Sequence, residues 1–189
     1  MEITPTEAEE ALLSIQAIMK KTRRSISASG AYKFLILWGF IWLIGFLNSQ
    51  FLPGQLAGNL WIGLDILGGI FSAFIGYRLN RGVRSSSPST TGKRIGLFWL
   101  LLFLYCVAAI MVAGTGDGKQ LAMFIILFVT FGWIAMSMLL SFTSVWPGLA
   151  LFTLAIFGYF ILPGIFYIWM AILGGGGMIL LGFFIRDRW

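Results

Sequence analysis

The chain is 189 residues long, 59% apolar and 11% charged, against roughly 25% charged residues in an ordinary soluble domain, so a conventional soluble fold is excluded. Several uncharged runs exceed the ~18 residues needed to cross a hydrocarbon layer. The net charge of +6 gathers at the ends of those runs, which reads as a topology signal and not as a nucleic-acid surface.

Acids Glu2, Glu7, Glu9 and Glu10 precede the first basic residues, unlike a secretory signal peptide. Thr4-Pro5-Thr6-Glu7 reads as a helix start, with Thr4 as N-cap, Pro5 in the first turn and Glu7 closing a capping box. Ala8, Ala11, Leu12, Ile15, Met19 and Ile26 then recur at helical spacing, Lys20, Lys21, Arg23 and Arg24 collect toward the far end, and Gly30 offers a stop. The pattern predicts an amphipathic helix over 1–30. Such a helix lies on the membrane with those four cations on lipid headgroups, docks a cytoplasmic protein partner, or packs under its own bundle.

The remainder, 31–189, is predicted to be an all-α integral membrane domain of six transmembrane helices, at 32–48, 59–77, 95–113, 120–141, 147–162 and 165–185. Pro53-Gly54 and Pro163-Gly164 turn the first and last hairpins, and Gly114-Thr115-Gly116-Asp117-Gly118 turns the middle one. A Ser-rich break around 85–92 separates the second and third spans. Every Lys and Arg except Lys119 then falls on one side, which the positive-inside rule makes cytoplasmic. Both termini are therefore expected in the cytoplasm and the protein in the cytoplasmic membrane. Trp61, Gly68-Gly69 and Arg78 also match Trp169, Gly176-Gly177 and Arg186 at a constant offset, a weak sign of a repeated hairpin.

Asp65 stands out as the one charged residue inside a predicted span. A carboxylate in hydrocarbon costs about 2.5–3.5 kcal/mol on insertion scales, and such residues mark pathways, binding sites or buried polar pairs. Gly69, Ser72, Ala73 and Gly76 continue its face at helical spacing, which predicts that Asp65 looks toward neighbouring helices and not at lipid. The chain supplies no intramembrane Lys or Arg to pair with it, so the site suits a proton or a small cation. A structural hydrogen-bonded acid is the alternative.

Partners for Asp65 are few. Thr130, Ser137 and Ser141 share one helix face and suggest a polar path, although hydroxyls in lipid commonly bond the carbonyl one turn back in their own helix. Tyr105 is a scattered single group within reach by sequence. Gly174, Gly175, Gly176 and Gly177 interrupt the last span, either as an unwound substrate-coordinating stretch or hinge, or as a groove for a neighbouring helix. The sequence holds one cysteine, Cys106, and no histidine, and none of the familiar hydrolase, zinc or phosphate-loop motifs appears. No metal, cofactor, nucleic acid or enzymatic activity is expected. The residues point to a small transporter or channel for an ion or small solute, working in the lipid bilayer as a monomer or homo-oligomer. The alternative is a non-transporting scaffold, sensor or anchor that binds a cytoplasmic protein through 1–30.

Overall fold

A computed structural model describes residues 30–82, 90–114, 116–140 and 144–188. The amphipathic helix expected over 1–30, with Lys20, Lys21, Arg23 and Arg24, lies outside the described residues apart from Gly30, as does Ser141. The described residues are helical and contain no strand: α1 (Ala31–Phe51), α2 (Gly54–Gly82), α3 (Thr90–Ala113), α4 (Gly118–Leu140), α5 (Trp146–Ile161), a short α6 (Phe166–Trp169), a π-helical turn (Met170–Gly176) and α7 (Gly177–Arg188). The last three run on as one rod.

Five of the rods are long and apolar enough to cross a membrane, which is the build of a helical membrane protein. The exception is α5. The span expected at 147–162 is a helix of 16 residues, ~24 Å at 1.5 Å per residue, short of a ~30 Å hydrocarbon layer. Pro147 fixes its start, and at its far end the Leu162 amide closes on the Gly158 carbonyl at 3.1 Å before Pro163, which has no amide to continue the ladder. Elsewhere the helices exceed the expected spans. α2 starts at Gly54, earlier than expected, because the extended Leu52 hands directly to Pro53.

Neighbouring rods run antiparallel, and the strongest contacts follow the order α3, α4, α5, last rod, α1, α2. A glycine sits at each step of that row. A methyl group at Gly132 of α4 would lie 2.5 Å from Leu102 of α3, one at Gly148 of α5 would lie 2.9 Å from Ile134 of α4, and one at Gly158 of α5 would lie 2.5 Å from Trp169. Between α1 and the last rod the backbones themselves meet, with Gly175 against the Leu43 amide and the Gly39 carbonyl, and Gly182 against the Tyr32 carbonyl. Lipid chains are as apolar as leucine, so close approach through small residues, not exclusion from water, holds these rods together.

The core lies where α1, α4, α5 and the last rod converge, and it is filled by Trp42, Phe46, Ile126, Phe166, Met170 and their neighbours. On the last rod the buried positions Phe166, Met170, Gly174, Met178 and Gly182 recur at every fourth residue. An α-helix would carry such a row around its surface by about 40° per step, because 3.6 residues make a turn. The wider turn at Met170–Gly176 corrects that drift and returns the row to α1.

Candidate functional site

Asp65 lies near the middle of α2, ~17 Å from Gly54 and ~21 Å from Leu79 along the axis. The early start of the helix therefore puts it deeper than a span beginning at residue 59 would. Its register against α1 agrees. Gly45 meets Trp61 and Ile41 meets Gly68, so Asp65 stands level with the middle of the α1 span.

The face expected to pack is not the one that does. α2 meets α1 through Trp61, Leu64, Gly68 and Ser72, whereas Asp65, Gly69, Ala73 and Gly76 are exposed on the single chain, and methyl groups at Gly69 and Gly76 would meet nothing within 4 Å. Two indoles decide the matter. The Trp61 Nε1–H donates to Ser49 Oγ at 2.8 Å and the Trp38 Nε1–H to Ser72 Oγ at 3.2 Å. Each ring needs both a glycine-sized gap and a polar partner: α1 supplies Gly45 and Ser49 to Trp61, and α2 supplies Gly68 and Ser72 to Trp38, which turns the 61–68–72 face of α2 onto α1. Ser72 is thus taken by α1 and does not accompany Asp65.

The other expected residues fall in three places. Thr130 and Ser137 are buried in α4, but their hydroxyls turn back on their own helix, to Ile126 and Leu127 carbonyls at 2.9 and 3.1 Å and to the Trp133 carbonyl at 2.8 Å. Ser137 also reaches the Ser144 carbonyl at 3.2 Å, which ties α4 to the approach of α5. Tyr105 is 72% exposed on α3 and, with Phe98, Leu101, Leu102, Phe128 and Phe131, lines an apolar groove of about 270 Å³ between α3 and α4. Gly174 and Gly175 are buried against α1 and α5, while Gly176 and Gly177 have room around them, so half of the glycine run is a packing surface and half is open.

Two features lay beyond sequence reasoning. One is the pair of Trp–Ser hydrogen bonds, invisible without the α1–α2 register. The other is a polar group at the end of the fold opposite Lys33 and Arg186, where Lys119 Nζ sits 5.0 Å over the Tyr159 ring and the Gln50 amide nitrogen donates to the Gly164 carbonyl at 3.4 Å. Among the described residues no three His, Cys, Asp or Glu side chains gather to hold a metal. Among the described residues, what the arrangement offers chemically is a single carboxylate midway along α2, on a face that no described helix covers. No family model, no curated protein and no solved structure matches the chain, so the geometry itself carries the functional reading.

Proposed function

We propose that the protein is a multi-pass transporter or channel of the cytoplasmic membrane that binds a proton or small cation at Asp65 and works as an assembly of identical copies joined along α2. The observation that carries this is the position of Asp65 at mid-depth on a face that no described helix covers. Left in lipid, the carboxylate would cost about 2.5–3.5 kcal/mol on insertion scales. Copies inserted the same way about an axis normal to the membrane bring each Asp65 to the same depth, and the open Gly69 and Gly76 permit the helices to approach closely. The filled core favours a route between copies over one through a single chain. Six crossings with both termini in the cytoplasm complete this reading, supported by the antiparallel rods and by the crowding of basic residues at one end.

The test is flux in liposomes containing the purified chain. Proton or alkali-cation movement that falls to the protein-free leak in Asp65→Asn supports the proposal, and flux unchanged by that substitution refutes it.

The filled core also favours a second reading, a non-transporting scaffold or anchor that presents 1–30 to a cytoplasmic protein. A soluble partner captured stoichiometrically and lost on deleting 1–30, with no flux from the intact chain, would select it.

A further inference from the structure

Charge is distributed unequally between the two ends of the fold. At one end the described side chains are Lys33, Arg78, Arg94 and Arg186 against a single acid, Asp187, and at the other Lys119 is matched by Asp117. Three of those cations belong to α1 and to the two helices packed against it, α2 and α7. A methyl group at Gly30 would strike Leu79, and one at Gly182 would lie 3.1 Å from the Tyr32 carbonyl. The first turn of α1 therefore sits level with Leu79 of α2 and Gly182 of α7, which at 1.5 Å per residue puts Lys33, Arg78 and Arg186 within about 8 Å of one another along the helix axes.

Each of these cations is exposed, and each lies over an aromatic ring of its own helix. Lys33 Nζ is 5.8 Å from the Tyr32 centroid, and the Arg78 and Arg186 guanidinium carbons are each 4.8 Å from the Phe74 and Phe183 centroids. Rings at the last apolar turn sit at the membrane interface, and long basic side chains reach from there into the headgroup layer. Asp187 engages Arg186 at 2.8 Å, but both groups are half exposed and one acid leaves most of the positive charge unmatched.

We propose that this end of α1, α2 and α7 is a binding rim for anionic phospholipid headgroups, with Lys33, Arg78 and Arg186 contacting the phosphates. Charge complementarity selects the occupant, because the rim is basic and set at headgroup depth. The inference is independent of transport at Asp65. It also concerns different residues from the four N-terminal cations.

The experiment is native mass spectrometry of the full chain released from micelles containing equal amounts of phosphatidylglycerol and phosphatidylcholine. One basic residue near an anionic surface is worth about 1 kcal/mol, or roughly fivefold. The intact chain should retain phosphatidylglycerol over phosphatidylcholine by at least about tenfold, and the triple variant Lys33→Ala, Arg78→Ala, Arg186→Ala should bring that ratio near one. Arg78→Lys with Arg186→Lys should keep the preference, which separates lost charge from lost folding, and Lys119→Ala should leave it unchanged. Equal retention of the two lipids by the intact chain overturns the proposal. So does a preference that survives the triple variant but vanishes when Lys20, Lys21, Arg23 and Arg24 are replaced by alanine, or that millimolar inorganic phosphate abolishes.

Discussion

Replacing Gly175 with alanine should weaken the fold, although alanine is the better helix former. An added methyl would stand 2.6 Å from the Leu43 amide nitrogen and 2.9 Å from both the Leu43 Cα and the Gly39 carbonyl oxygen. These are backbone atoms and cannot rotate aside, so α1 must move away from the last rod. Overpacking of this kind costs about 1–3 kcal/mol, and the propensity gain of alanine over glycine returns at most about 1 kcal/mol. Around Gly177, two residues on, there is no atom within 4 Å of the same methyl, so Gly177→Ala should be neutral or slightly stabilising. Unfolding of each variant in mixed micelles, followed by tryptophan fluorescence as denaturing detergent is raised, measures the difference directly. Gly175→Ala should unfold earlier than the parent by an amount equivalent to about 1–2 kcal/mol. Equal stability for the two variants would refute the close contact between α1 and the glycine run.

Other outcomes follow from the same contacts. Trp61→Phe removes the donor to Ser49 Oγ at 2.8 Å and should destabilise the α1–α2 pair by about 1 kcal/mol, read as a shift in the same unfolding curve; an unshifted curve would deny that bond a role. Gly158→Ala, whose methyl would lie 2.5 Å from the Trp169 ring, should blue- or red-shift the tryptophan emission as that indole is displaced, and it should cost about 1–3 kcal/mol. Thr130→Val should leave flux unaltered and change stability by no more than about 1 kcal/mol, because its hydroxyl bonds only carbonyls of its own turn; a large loss of flux would restore it to the pathway.

The class of fold was legible because bilayer thickness sets a length that apolar runs either meet or miss, and five rods meet it. The span expected at 147–162 forms an apolar helix of 16 residues, shorter than the other five rods. Its apolar composition is indistinguishable from its neighbours, but Pro147 and Pro163 bound the ladder and leave only the 16 residues of α5. The run Gly174–Gly177 announced an irregularity without its form. The four-residue period of Phe166, Met170, Gly174 and Met178, a sign of the wider turn, was hidden by apolar residues on every face of that rod.

Asp65 was legible as a residue and not as an orientation. Its i+4 partner Gly69 and the neighbouring Gly68 are equally small, so periodicity cannot say which of two adjacent stripes packs. The choice is made by Trp38 and Trp61, whose indole N–H groups need Ser72 and Ser49, and that pairing depends on a register between helices. The hydroxyls of Thr130 and Ser137 were visible as a face, but hydroxyls in helices commonly bond the carbonyl one turn back, and both do, Ser137 reaching the Ser144 carbonyl as well.

If Asp65 is a working acid at mid-depth in the membrane, a hydrophobic carbodiimide, which partitions into lipid and modifies carboxylic acids there, should reach it. Treating liposomes that contain the chain and mapping the adduct by peptide mass spectrometry should find modification at Asp65, slowed by the transported cation or by raised pH, with flux falling in proportion to labelling. An unmodified Asp65, or full labelling with flux intact, would contradict the account.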